Sequence, residues 1–139
     1  MRSRPNSDVV TVVDDDPRIR ESIADLLASA GYTPRSYSSA DELLQARGLE
    51  TCFCLITDVR MPGSDGWELQ RVATANFPSL PVILITALQD ETTRVRALAL
   101  GAFALIFKPF DGEELLQAVD AARECSGGDA AHPYSSRKG

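Results

Sequence analysis

The sequence lacks the features that mark membrane, secreted and nucleic-acid-binding proteins. No apolar stretch approaches the ~20 residues that a membrane span requires, and residues 1–5 lead into no signal-peptide core. We therefore expect a cytoplasmic protein with no membrane partner. The net charge of -6 leaves little positive charge, whereas domains that bind nucleic acid usually carry a basic patch. Direct binding of nucleic acid by this chain is not expected.

Cysteine is also scarce. Cys52 and Cys54 lie two positions apart, a spacing that fits neither a zinc site nor a redox motif, and we predict that both pack in the core. Cys125 is expected to be an exposed thiol. The single histidine, His132, lies in a polar C-terminal segment.

What remains is an ordinary globular composition in 139 residues, enough for one domain with one core. Residues 1–7 are polar, and after Cys125 the chain turns to Ser, Gly, Asp, Pro and Lys, the composition of a linker or free tail. We predict one domain over residues 8–124, with flexible termini at 1–7 and 125–139.

Five short apolar or β-branched runs predict the strands of a sheet. The central run, 52–58, has no internal break, ends on Asp58 and is followed by Pro-Gly and Asp-Gly turn signals. Pro34 assigns the run 33–38 to a sheet edge, because proline cannot donate a ladder hydrogen bond. The other predicted strands are 9–13, 81–86 and 103–107.

Apolar residues at helical spacing predict a helix after each strand. The first is expected to begin at Pro17 with Asp16 as N-cap, and to end at a left-handed Gly31. A capping box opens the second at Ser39. The later helices are marked by Leu69, Val72 and Ala73, by Val95, Leu98, Ala99 and a closing Gly101, and by Leu115, Leu116, Val119 and Ala122 after an Asp111 cap.

Strands that alternate with helices predict an α/β fold with a parallel sheet and helices on both faces. Right-handed crossovers leave few topologies, and an edge second strand fits the strand order 2-1-3-4-5. We therefore predict a single-domain, doubly wound (βα)5 sheet of the flavodoxin-like kind.

Polar residues end the strands that are neighbours in this order. They are Asp14 and Asp15 after the first strand, Asp58, Thr86 and Lys108. The carboxyl ends of such strands border the ligand crevice, so these side chains are expected to converge. Clustered carboxylates need a cation, and all-oxygen ligands suit Mg²⁺. A hydroxyl and an ammonium suit a phosphoryl group, which a carboxylate can accept as an acyl phosphate.

On these residues the chain resembles the response-regulator receiver domains of bacterial two-component signalling. The matching motifs are Asp14-Asp15 after a valine run, Asp58 in D-V-R-M-P-G-S-D-G, Thr86 in I-T-A and Lys108 in K-P-F. Each motif alone is weak, but four in the right order at the ends of the right strands are specific. The resemblance covers the whole predicted domain.

The resemblance implies a phospho-accepting switch in a phosphorelay. Asp58 would take the phosphoryl group from the phosphohistidine of a histidine kinase, in a reaction that depends on Mg²⁺. Asp15 would bind Mg²⁺ directly and Asp14 largely through water, with Asp58 and the backbone carbonyl of Arg60 as further ligands. Such a domain is not an enzyme in the usual sense, because it catalyses only its own phosphorylation and dephosphorylation.

The resemblance also implies which residues contact the phosphoryl group and which partners the domain has. Lys108 would contact the phosphoryl oxygens, Thr86 would move in to hydrogen-bond them, and the Lys108–Pro109 bond is expected to be cis. The implied partners are a sensor histidine kinase or phosphotransfer protein and a downstream protein or output domain. The latter, or a second copy in a phosphorylation-dependent homodimer, would dock on the face formed by the fourth helix, fifth strand and fifth helix.

One residue departs from the family pattern. Many receivers carry Tyr or Phe in the fifth strand at the position of Leu105, so a weaker conformational switch is expected here. Strand alternation is expected to put Phe103, Leu105 and Phe107 on one face.

Two alternatives stay open. A haloacid-dehalogenase-type phosphatase also uses an Asp nucleophile, Mg²⁺, a hydroxyl and a lysine. That resemblance needs D-x-D followed by Thr or Val after the first strand, whereas here Asp16 precedes Pro17. A pseudo-receiver would bind partners without being phosphorylated, but the expected acids, threonine and lysine are all present.

Overall fold

The computed structural model describes residues 8–59, 66–87 and 91–126. Within these ranges, five strands alternate with five helices. The strands are β1 (Val9–Val13), β2 (Thr33–Tyr37), β3 (Cys54–Asp58), β4 (Val82–Thr86) and β5 (Ala104–Phe107). The helices are α1 (Pro17–Ser29), α2 (Ala40–Gln45), α3 (Gly66–Asn76), α4 (Glu91–Ala99) and α5 (Gly112–Ser126). The last helix thus extends two residues into the predicted tail, the rest of which lies outside the described residues.

The five strands form one parallel sheet in the order β2-β1-β3-β4-β5, which confirms the predicted fold and the edge position of Pro34. The predicted starts of β3, β4 and β5 were one or two residues too early. For β3 and β5, the reason is that Phe53 and Phe103 each donate a single backbone bond to a neighbouring strand, to Val9 and Val82, before the regular ladder begins.

Both faces of the sheet are buried, which explains the unbroken apolar runs of β3 and β4. On one face, α1 and α5 cover residues that include Val12, Cys54, Ile56, Ile85 and Ile106. On the other, α2, α3 and α4 cover residues that include Val13, Cys52, Leu55, Val82 and Leu84. Cys52 and Cys54 are therefore core residues, as predicted. No helix in the described part of the chain has the length and apolarity needed to cross a membrane.

The helix ends follow the sequence signals closely. The Asp16 carboxylate accepts a hydrogen bond from the Arg18 backbone N–H, and Pro17 opens α1. Gly31 and Gly101 have φ angles of 95° and 87°, the left-handed caps that were predicted. Ahead of α2, only half of the capping box forms as predicted, because the carboxylate of Glu42 accepts from Ser38.

One prediction about side-chain direction was wrong, and α4 buries a different set of residues from the one that marks it in the sequence. On α4, Val95 and Leu98 are exposed, and the helix buries the smaller Thr93 and Ala97 instead. Both sets have helical spacing, so the pattern alone favoured the larger apolar residues. Phe103 packs in the α1 and α5 face, whereas Leu105 packs on the opposite face. Phe103 precedes the ladder of β5, so strand alternation does not reach it.

Gly66 begins α3 against the end of β3. Its N–H donates to the Val59 carbonyl at 2.8 Å. A Cβ atom added to Gly66 would lie 2.1 Å from the carbonyl oxygen of Asp58, which is a backbone atom. The close approach of α3 to the strand that carries Asp58 therefore requires glycine at this position.

We expect Gly66→Ala to lower the free energy of unfolding by about 1–3 kcal/mol, because overpacking against backbone forces a shift of α3 or β3. Chemical denaturation followed by circular dichroism measures the loss. Gly112→Ala is the matched control, since its Cβ would meet only the movable side chain of Leu26 at 3.2 Å. Equal losses in the two variants would contradict this account.

Candidate functional site

Four of the five strands bring a polar residue to the same edge of the sheet. Asp14 follows β1, Asp58 ends β3, Thr86 ends β4 and Lys108 follows β5. The backbone N–H of Lys108 donates to the Thr86 carbonyl at 2.8 Å, which extends the β4–β5 pairing to the site. Asp14, Asp58 and Thr86 are all buried. These strand ends therefore meet as the sequence predicts.

The Lys108 ammonium lies between two carboxylates. Its Nζ atom is 3.0 Å from Asp58 Oδ2 and 3.3 Å from Asp14 Oδ2. Only 2% of the Asp14 side chain and 10% of the Asp58 side chain are exposed. Carboxylates this deeply buried need a paired cation, which Lys108 provides. The Lys108–Pro109 bond is cis, as predicted.

The charge arrangement shifts the pKa values of two of these groups. Burial, followed by the negative charge of Asp58, raises the pKa of Asp14 above its usual value, against the opposing effects of the Asp16 N–H and Lys108. For Lys108, burial lowers the pKa, but the hydrogen bond to Asp58 and the charges of both carboxylates outweigh it. Lys108 is thus held as an ammonium.

A third carboxylate completes an acidic cluster. Asp15 is exposed, and one oxygen from each of Asp14, Asp15 and Asp58 lies within 4.8 Å of the others. A purely oxygen donor set of this charge fits Mg²⁺ better than a softer metal. Among the described residues, no side chain bonds to the Asp15 carboxylate, so it is able to turn toward an ion. Arg60, whose carbonyl is the other predicted ligand, lies outside the described residues.

The structure adds two contacts that the sequence did not reveal. The Arg20 guanidinium of α1 donates to the Asp14 carbonyl at 2.8 Å. The Arg96 guanidinium of α4 lies 4.4 Å from the ring centre of Trp67, in the first turn of α3. A lone arginine on a helix gives no sequence signal for such a contact, because its partner is a backbone atom or a distant ring.

Residues 10–120 match the family model of the response regulator receiver domain, and the chain belongs to this family. Receiver domains act as switches in two-component signalling, so the family supports the receiver over the dehalogenase-type phosphatase.

Two curated relatives are transcriptional regulators. The chain is 40% identical over 114 residues to the DNA-binding transcriptional regulator NtrC of Escherichia coli, an alignment that covers 82% of the chain and 24% of NtrC. It is 40% identical over 118 residues to the transcriptional regulatory protein FixJ of Azorhizobium caulinodans, covering 85% of the chain and 56% of FixJ. The chain therefore spans from a quarter to just over half of these relatives.

Among solved structures, a receiver domain protein of Clostridium thermocellum superimposes with a TM-score of 0.78 at 28% identity. The match covers 84% of this chain and 94% of that one. The likeness thus extends over nearly all of a receiver domain.

We expect Lys108→Met to lower the free energy of unfolding at pH 7 by about 1–3 kcal/mol, because two buried carboxylates lose their shared cation. The deficit should shrink as the pH falls. The folded-state pKa of Asp14 is already raised and would rise further without Lys108, so the folded protein takes up a proton before the unfolded chain does.

Denaturant titrations over a pH series, in buffers without Mg²⁺, measure this effect. Adding Asp58→Asn to Lys108→Met removes the repulsion and should restore most of the stability. A deficit that does not change with pH, or that persists in the double variant, would contradict the pairing described above.

Proposed function

We propose that the protein is a phospho-accepting receiver in which Asp58 takes a phosphoryl group from the phosphohistidine of a histidine kinase or phosphotransfer protein. The observation that carries the proposal is the Lys108 ammonium, 3.0 Å from the Asp58 carboxylate. A fixed cation beside the acceptor lies where the phosphoryl oxygens would arrive with their negative charge. The proposal includes a cytoplasmic location and no direct binding of nucleic acid.

In the proposed step, an oxygen of the Asp58 carboxylate forms a bond to phosphorus. The P–N bond of the phosphohistidine breaks, and its electron pair returns to the imidazole of the donor. Lys108 would then donate hydrogen bonds from its ammonium to the phosphoryl oxygens. The hydroxyl of Thr86 is the proposed second donor. We assign the donor histidine to another protein, because the only histidine of this chain, His132, lies in the polar C-terminal segment.

The proposed cofactor is Mg²⁺, held by Asp14, Asp15, Asp58 and the carbonyl of Arg60. The ion would supply positive charge that neutralises the carboxylates and polarises the phosphoryl group. Asp15 suits direct ligation, because its carboxylate is exposed and not committed to another residue. Asp14 already accepts from the Asp16 N–H and from Lys108, which favours contact through water.

Leu105 suggests how the switch differs from that of receivers with an aromatic at this position. It is half-buried against the α2, α3 and α4 face of the core. A leucine displaces less volume than a tyrosine and has no hydroxyl bond to exchange. A ligand shifts a two-state equilibrium only by its differential interaction with the states. We propose that the phosphoryl group and Thr86 supply most of that difference, so that the conformational response is small.

We expect acetyl phosphate with Mg²⁺ to add a single, hydroxylamine-sensitive phosphate to the protein, and Asp58→Asn to abolish it. Intact mass spectrometry measures the addition. Asp16→Asn is the control, because asparagine caps a helix as well as aspartate and Asp16 is outside the acidic cluster. Labelling of Asp58→Asn at the wild-type level would refute the assignment, and an unlabelled wild type would favour the pseudo-receiver.

The proposed docking surface for a second copy or for a downstream protein is the face of α4, β5 and α5. Val95 and Leu98 expose 54% and 38% of their surface on α4. Residues three positions apart are neighbours on a helix surface, so these two side chains offer adjacent apolar area that a partner would bury.

We expect phosphorylation of Asp58 to promote self-association through this face, and Val95→Ser to weaken it by removing apolar contact area. Sedimentation velocity with and without acetyl phosphate is the measurement. Leu44→Ser is the matched control, since Leu44 is 39% exposed on α2, away from this face. Association that does not change on phosphorylation, or that both substitutions weaken equally, would argue against this docking surface.

A further inference from the structure

The backbone of Asp14 is held by a hydrogen bond from a residue of α1, outside the sheet. The β1–β2 ladder ends at the Val13–Tyr37 pair, with one more bond from the Asp14 N–H to the Tyr37 carbonyl. The carbonyl of Asp14 therefore lies beyond the strand and has no ladder partner. Arg20 provides one, because its Nη1 donates to this oxygen at 2.8 Å.

This carbonyl belongs to the peptide group that joins Asp14 to Asp15. A peptide group is planar, so fixing its oxygen also fixes the plane from which Asp15 continues. The Asp15 carboxylate is exposed and bonds to no side chain among the described residues. The backbone sets where this side chain starts, and Arg20 holds that backbone in place, while the carboxylate stays able to turn toward an ion.

Arg20 also acts on α2 through its charge. It is half-buried and lies close enough to Glu42 of α2 for its charge to act on that carboxylate. Hydrogen bonds from Ser38 are the main cause of the lowered pKa of Glu42, and the charge of Arg20 adds to them. The guanidinium thus donates to the Asp14 carbonyl, and its charge also acts on a carboxylate of α2.

We propose that Arg20 is a positioning residue for Mg²⁺, which orients the Asp15 carboxylate by holding the Asp14 carbonyl. The inference rests on the proposed function, because Mg²⁺ is the cofactor proposed there. The two possible roles of Arg20, positioning and charge, predict opposite changes in Mg²⁺ affinity when it is replaced. A guanidinium that acted through charge alone would repel Mg²⁺, so that its removal would tighten binding, whereas loss of a positioning contact weakens it.

The test is calorimetric titration of the unphosphorylated 139-residue chain with Mg²⁺. We expect Arg20→Gln to raise the Kd roughly ten-fold, the usual effect of losing a contact that orients a metal ligand. Arg20→Lys keeps the charge but loses the planar fork, and should fall between Arg20→Gln and the wild type. A Kd that is unchanged or lower in Arg20→Gln would overturn the proposal.

Arg18→Gln is the matched control. Arg18 lies in the same turn of α1 and carries the same charge. Within the described part of the chain, its guanidinium reaches only the exposed Asp16 carboxylate, at 3.8 Å. Its substitution should leave the Kd for Mg²⁺ unchanged or slightly lower. Equal weakening by Arg18→Gln and Arg20→Gln would show a general charge effect and overturn the positioning role.

Two further variants separate this inference from the proposed function. Asp15→Ala should weaken Mg²⁺ binding more than Asp14→Ala, because direct ligation is stronger than contact through water. A wild type without Mg²⁺ affinity, or an Asp15→Ala variant that retains it, would overturn both proposals. Loss of affinity in Asp15→Ala with wild-type affinity in Arg20→Gln would overturn the Arg20 inference alone.

A measurement on the wild type covers the case in which Arg20→Gln fails to fold. Nuclear magnetic resonance of the arginine side chains should show guanidinium protons of Arg20 that exchange slowly with water and shift when Mg²⁺ is added. Those of Arg18 should exchange fast and remain in place. Identical behaviour of the two arginines would overturn the inference.

Discussion

The contact on which the rest of the site depends is the one between the Lys108 ammonium and the carboxylates of Asp14 and Asp58. Two buried carboxylates side by side are unfavourable unless a cation offsets them. In this parallel sheet, β1, β3 and β5 all end at the same edge, so the fold itself brings the three groups together. The strand order therefore determines the electrostatics, and the electrostatics determine what the edge can bind.

Most of the fold could be predicted because its central strands are buried on both faces and so appear as unbroken apolar runs. The sequence pattern does not reveal which residues a helix buries where packing depends on the distance between elements. On α4, small Thr93 and Ala97 face the core while larger Val95 and Leu98 do not. Hydrophobicity ranks the larger residues first, and nothing in a single sequence reveals how closely a helix approaches the sheet.

The candidate site likewise contains residues that the sequence predicts and one that it does not. Asp14, Asp58, Thr86 and Lys108 were predictable, because each is a polar residue at the end of an apolar strand. Arg20 was not, because it acts on a carbonyl oxygen, and every residue has one. Side-chain patterns identify groups that carry charge to a site, whereas the groups that hold the backbone in place become visible only with coordinates.

The contact between Trp67 and Arg96 has a consequence for how the molecule can be observed. Trp67 is the only tryptophan of the chain, and it lies directly after Gly66, whose N–H is bonded to the residue that follows Asp58. A guanidinium 4.4 Å from the indole ring is a charge near enough to alter its fluorescence. The ring lies on α3 and the charge on α4. The intrinsic emission of this one side chain would therefore report, without any attached dye, when these two helices move apart.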